Sequence, residues 1–388
     1  MSKKSYVVLG ILVAISMLLA ACGTAATPTA APATEAPTMA APTEAPTVAP
    51  TAAPKMLVGE VTDLGGIDDK SFNASGWLGV QQAITDLGID GKYLESNQQS
   101  DYAKNIQEFL DEKAGLIITV GYLLGVDTAT AAKANPNTDF AIVDYSYPDC
   151  YTGAVEGKDC GSSTVLPNVV GLTFQTDQAA FLAGYVAAGM TKTGKVASFG
   201  GMQLPTVTIF MKGFEAGVKY YNTKHSTSVV ALGWDDAKQT GVFVGNFSST
   251  DDGHKTAESL QQEGADIIMP VAGPVGLGSA AYCKETSSCL IIGVDQDWFG
   301  SAPEYQSVEL TSVMKKINVA VYNVIKSVQA GTFKGGTMNS TIVDGGVDLA
   351  PFHNFDSTVP DSLKTELTQV KADLVSGAIT VDGVLTGK

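Results

Sequence analysis

Leu116-Ile-Ile-Thr-Val120, followed by Gly125 and Val143-Asp144, returns about 151 positions later as Ile267-Ile-Met-Pro-Val271, Gly276 and Val294-Asp295. Asp101-Tyr-Ala-Lys104 precedes the first run as Asp252-Gly-His-Lys255 precedes the second. Short, unbroken apolar runs between polar stretches suit strands buried on both faces, so each half reads as helix, buried strand, glycine turn, helix and a strand ending in Asp. Only about a quarter of the aligned positions are identical, so the order of elements carries the repeat. Outward from it, Met56 to Val61 is strand-like, Ser71 to Leu87 is helix-like, and the alternation runs on to Leu290–Asp295. The pattern predicts an α/β protein with two mainly parallel sheets flanked by helices. Open sheets of this kind bind ligands at the carboxyl ends of their strands, so Asp144 and Asp295 are expected to face each other across a shared cleft. There each can accept hydrogen bonds from ligand N–H or O–H groups. A carboxylate at a strand end can equally cap the next helix, and position alone leaves both roles open.

The 388 residues carry 40 Asp and Glu against 24 Lys and Arg, a net charge of −16. That balance would repel a phosphate backbone, and no dense lysine cluster reverses it locally, so nucleic acid is not an expected partner. Every basic residue is a lysine. Without the planar fork of arginine, a neutral, hydroxyl-rich ligand is favoured over an anion.

The chain opens with Lys3 and Lys4, an apolar run from Tyr6 to Leu19, and Leu19-Ala20-Ala21-Cys22. This is the layout of a secretory signal over residues 1–21, and its ending resembles a bacterial lipobox, which makes Cys22 the expected site of lipid attachment. Residues 22–54 are almost wholly Ala, Thr and Pro with scattered Glu, and cannot build a core. Such a segment favours extended polyproline conformations of about 3.1 Å per residue, and reads as a stalk from the membrane. The expected location is the extracytoplasmic face of the membrane.

The oxidising location this implies permits two short-range disulfides, Cys150 with Cys160 and Cys283 with Cys289. The three histidines, His225, His254 and His353, are widely separated and no C-x-x-C occurs, so no metal site is expected.

After the first strand comes Asp63-Leu-Gly-Gly-Ile-Asp-Asp-Lys-Ser-Phe-Asn73, in which Ser71 can cap a helix carrying Phe72 at its mouth. Further on lie Thr176-Asp with Phe181-Leu-Ala-Gly-Tyr, Gly213-Phe-Glu-Ala-Gly217, Gly264-Ala-Asp-Ile-Ile, Ala272-Gly273, Ile292-Gly-Val-Asp295 and Thr311-Ser-Val-Met-Lys315. These motifs, in this order over residues 55 to 350, resemble the Bmp family of basic membrane lipoproteins, which includes bacterial purine nucleoside receptors. The resemblance implies a two-lobed, type I periplasmic-binding-protein fold. It assigns residues 55–172 and about 299–334 to the first lobe, and 173–298 with about 335–388 to the second.

The resemblance also implies a site in which two aromatic rings hold a purine base while acidic side chains and a lysine address its polar edge and the ribose. Phe72 supplies one ring and Phe247 the other, with Phe243 a near alternative. Asp295 and Lys315 fall at ribose-binding positions, the backbone near Gly273 approaches the sugar, Asp63 and Asp144 belong to the side that meets the base, and Asn73 is a further ligand-binding residue. Leu64 stands where relatives often carry a polar residue, so the choice among inosine, guanosine and adenosine stays open. The implied protein is a monomeric receptor that closes its lobes on the solute and delivers it to the permease and ATPase subunits of an ABC importer.

No phosphate loop, nucleophile elbow or dinucleotide fingerprint occurs, and no cofactor is expected. Gly273-Pro-Val-Gly276-Leu-Gly278 has the wrong spacing for the last of these. Paired aspartates could in principle cleave a glycosidic bond, so a nucleoside hydrolase is the enzymatic alternative. A membrane-tethered sensor using the same cleft is the other.

Overall fold

A computed structural model describes residues 55–147 and 166–387. The expected signal segment, Cys22, the stalk and the Cys150/Cys160 pair lie outside the described residues.

The strands, in chain order, are β1 (Leu57–Thr62), β2 (Asp90–Leu94), β3 (Leu116–Val120), β4 (Asp139–Val143), β5 (Val169–Phe174), β6 (Lys195–Gly200), β7 (Val230–Leu232), the short pair β8 (Trp234–Asp235) and β9 (Thr240–Gly241), β10 (Ile267–Val271), β11 (Leu290–Asp295), β12 (Glu309–Lys315), β13 (Gly336–Ser340) and β14 (Val347–Leu349). They form two six-stranded sheets, ordered β13-β5-β4-β3-β1-β2 and β14-β12-β11-β10-β6-β7. All neighbours within them pair in parallel except β12 and β14. The two orders superimpose position by position, so β3 corresponds to β10 and β4 to β11, as the repeat requires. Both β3 and β10 are buried along their whole length, the physical reason their sequences read as unbroken apolar runs.

Helix packing explains two of the glycine-bearing motifs. Helix Thr176–Met190 lies directly against helix Pro205–His225. A Cβ on Gly184 would stand 2.0 Å from the Phe214 carbonyl, and one on Gly217 would stand 2.0 Å from the Phe181 carbonyl. Larger side chains would force the two backbones apart and strip contacts from Phe181 and Phe214, both fully buried. Cys283 and Cys289 form a disulfide at the end of helix Pro274–Thr286.

The chain changes lobes three times, the first time beside the expected boundary after residue 172 and the other two times away from theirs. Residues 299–334 were expected in the first lobe; helix Ile317–Gln329 does lie there, packed on helix Phe72–Leu87, but β12 pairs with β11 in the second sheet, so the crossing falls at Lys316. Residues from 335 were expected in the second lobe, yet β13 pairs with β5 in the first sheet, and the crossing falls over 341–346. The first crossing is at Gln175, once β5 is complete. In each case the strand entering the crossing runs its full length before the chain leaves its sheet, which places the crossings at carboxyl ends on the cleft side. Backbone hydrogen bonds tie them together: Gln175 N–H to the Ser340 carbonyl at 2.8 Å, and Lys316 N–H to the Gly346 carbonyl at 2.9 Å.

Candidate functional site

A cleft lies between the carboxyl ends of the two sheets. All eight residues expected there line it: Asp63, Phe72, Asn73 and Asp144 from the first lobe, Phe247, Gly273, Asp295 and Lys315 from the second.

The first lobe's wall begins where β1 ends. Gly65 and Gly66 take φ of 125° and 74°, a turn that favours glycine, and the Ile67 N–H fastens the loop to Glu95 at 2.7 Å. The loop then delivers Asp69, whose carboxylate accepts the N–H groups of Ser71, Asn73 and Ala74 at 3.0, 2.8 and 3.0 Å. Asp69, not Ser71, therefore satisfies the free donors at the start of helix Phe72–Leu87, because its carboxylate offers two acceptor oxygens and sits two residues further back. The Ser71 hydroxyl is released from that duty and donates to Asp295 in the other lobe at 2.7 Å. Asn73 donates to Asp63 Oδ1 at 3.1 Å and fixes that carboxylate at the strand end.

Asp144 and Asp295 stand at the ends of the equivalent strands β4 and β11, with nearly equal φ of 68° and 69°. Aspartate tolerates this left-handed conformation better than most residues, and it marks both positions as places where the backbone turns out of the sheet. Lys315, at the end of β12, reaches across the cleft to Asp144 Oδ2 at 2.5 Å. Its side chain is 2% exposed, and the ammonium lies 4.7, 5.2 and 5.8 Å from the ring centres of Phe72, Phe174 and Phe210. Rings at these distances attract a cation, and they exclude the water that would otherwise solvate it.

The cleft holds four carboxylates, Asp63, Asp69, Asp144 and Asp295, against this one ammonium. Burial raises the pKa of all four. It pushes Asp63 well above the carboxylate range, against the Asn73 hydrogen bond and with help from the negative Asp69 and Asp144. It pushes Asp69 to about 6 despite its three backbone donors. In Asp144 and Asp295 the burial effect is opposed chiefly by Lys315. Such a lining is rich in acceptors, and it suits a ligand that brings N–H and O–H donors.

The ring of Phe247 lies on Gly201, where a Cβ would come within 2.3 Å of it. Phe243, the alternative, instead packs on Gly200 and meets Trp234 edge-on at 6.1 Å, and it does not line the cleft. Sequence reasoning missed Asp69, Tyr122, Thr206 and Phe210. Asp69 sat inside the quoted motif and Tyr122 just beyond β3, where the strand-end rule could have found it. Thr206 and Phe210 lie on helix Pro205–His225 ahead of its Gly213–Gly217 motif, at positions that neither a motif nor the strand-end rule marks. None of the three histidines lines the cleft.

Two lobes of mainly parallel sheet joined by three crossings, with a cleft between strand ends lined by aromatic rings and a few carboxylates, define a solute-binding protein that holds its ligand between lobes. The chain belongs to the Bmp family, described as ABC transporter substrate-binding protein PnrA-like, whose model matches residues 56–383. Among its relatives, the "ABC transporter nucleoside-binding protein BmpA" of Lactococcus lactis is 31% identical over 342 residues, covering 83% of this chain and 87% of that protein. "Basic membrane protein A1" of Borrelia garinii is 30% identical over 319 residues, covering 82% of this chain and 86% of that one. An ABC transporter solute-binding protein from Aeropyrum pernix shares the fold, with a TM-score of 0.72 at 24% identity over 84% of this chain and 92% of that chain. Substrate-binding proteins of this class work outside the cytoplasm, binding small solutes for delivery to a permease. Among the described residues no helix is long and apolar enough to cross a membrane.

Proposed function

We propose that this protein captures a purine nucleoside by closing its lobes and passes it to the permease and ATPase of an ABC importer, without transforming it. The observation that carries this reading is the meeting in one cleft of Phe72 and Phe247, from opposite lobes, with Asp144 and Asp295 at equivalent strand ends. A purine offers two π faces, and each ring contact contributes roughly 1 to 3 kcal/mol. The carboxylates accept the N–H and O–H donors that a base edge and a ribose present, and Lys315 donates to a hydroxyl oxygen. The Lactococcus relative's name as a nucleoside-binding protein supports the same ligand class. Attachment through a lipid on Cys22, with residues 22–54 as a stalk, completes the proposal of a monomer held at the extracytoplasmic face of the cell membrane.

The test is to incubate the protein with inosine, guanosine and adenosine and assay both binding and free base, alongside mass spectrometry of any small molecule that copurifies. Stoichiometric binding without base release is expected. Turnover to free base would replace this reading with hydrolysis, and binding of none of the three would overturn the ligand class.

A further inference from the structure

Ser71 occupies the position just before helix Phe72–Leu87, yet its side chain makes no capping bond. The fully buried hydroxyl donates to Asp295 Oδ2 at 2.7 Å, with the Val294 carbonyl 3.1 Å away. The second lobe returns a bond to the same residue: Gln296 Nε2 donates to the Ser71 carbonyl at 2.8 Å. Residue 71 is thus gripped on its side chain and its backbone by consecutive residues of the opposite lobe. Asp69 makes this possible by satisfying the helix N-terminus itself, including the Ser71 N–H.

The arrangement mirrors the Lys315–Asp144 pair. There a first-lobe carboxylate is held by a second-lobe donor, and here a second-lobe carboxylate is held by a first-lobe donor. In both, one oxygen is taken by the opposite lobe, and the second has no partner among the described residues. One carboxylate oxygen of Asp295 is therefore committed to the other lobe while the remaining one can meet a ligand donor, so correct placement of the latter depends on the bond to the former.

We propose that Ser71 is a positioning residue of the cleft, whose hydroxyl orients Asp295 toward the ligand and, with Gln296, latches the lobes together. The proposal rests on the reading of this protein as a receptor that closes on its solute. A hydrogen bond to a buried carboxylate is worth enough that its loss should weaken binding roughly tenfold.

The experiment compares the full chain in detergent with its Ser71→Ala and Gln296→Ala variants. Hydrogen exchange is followed by mass spectrometry over residues 69–74 and 293–298 without ligand, and nucleoside affinity is measured by calorimetry. Both variants should speed exchange in the two segments together while the rest of each lobe keeps its protection, and Ser71→Ala should bind roughly tenfold more weakly. Faster exchange throughout the first lobe in both variants would reduce Ser71 to a local folding role and overturn the proposal. So would unchanged exchange at 293–298 in Ser71→Ala. Should the parent bind no nucleoside, the ligand assignment fails while the ligand-free exchange still decides the latch.

Discussion

Asp144 and Asp295, 151 residues apart, leave equivalent strands in the same left-handed conformation, and each gives one carboxylate oxygen to a donor from the opposite lobe. The two lobes therefore meet through a reciprocal pair of contacts built on one repeated element, and closure of the cleft brings both carboxylates against the space between them. On the proposed reading, solute capture joins ligand contact and lobe contact at the same side chains.

Replacing Asp295 with Ala removes a ligand acceptor and leaves the buried Ser71 hydroxyl without its partner. Nucleoside affinity should fall at least roughly tenfold in calorimetry. An unchanged dissociation constant would show that the ligand lies elsewhere.

The Lys315–Asp144 pair is 2% and 8% exposed, and breaking it from one side strands a buried charge. Lys315→Met should cost about 3 to 5 kcal/mol in urea unfolding. The double variant Lys315→Met with Asp144→Asn should recover a large part of that loss, because no unpaired charge remains. Equal losses in the single and double variants would show that packing of the lysine stem, not the charge, governs the site.

Asp69 has a folded-state pKa of about 6, above the ordinary carboxylate value near 4. Between those values the folded protein binds more protons at this residue than the unfolded chain does. Its contribution to stability is therefore fully present below about pH 4 and is lost as pH rises toward 6 and beyond, by about 2 to 3 kcal/mol. Asp69→Asn should remove this component, so the stability difference between parent and variant should change between pH 4 and 7 in the parent's disfavour. A pH-independent difference in urea midpoints would rule out the raised pKa.

Phe247 and Phe243 are four residues apart but face different surroundings. Phe247→Leu should weaken purine binding by roughly tenfold or more, with little change in Tm. Phe243→Leu, which loosens the packing on Gly200 and Trp234, should lower Tm and leave the affinity of the folded protein within about twofold. The reverse pattern would move the second aromatic wall to Phe243.

Much of the fold was legible because burial leaves a local trace. β3 and β10 are covered on both faces, so their residues are apolar without alternation, and the repeat appears at one offset. The motif through Asn73 located one wall of the cleft, and the strand-end rule located Asp144 and Asp295. Less was legible about duties within the motif: Ser71 has the residue type and position of a cap, and only the approach of Asp69 from the preceding loop shows that another side chain fills that role. Two of the lobe crossings were misplaced for a related reason. The sequences of β12 and β13 carry no mark of which sheet they join, a choice made by pairing with β11 and β5.

The sequence by itself determined the alternation of strands and helices, the duplication, the acidic and arginine-free surface chemistry and the residue types available to the cleft. These follow from periodicity and composition, which act over a few residues at a time. Tertiary structure alone decided that Lys315 meets Asp144 and that Ser71 meets Asp295, pairs 171 and 224 residues apart. It also decided that Phe174 and Phe210 join Phe72 around the ammonium. Contacts at such separations depend on how two sheets face each other after the chain has crossed between them three times, and no local pattern encodes that geometry.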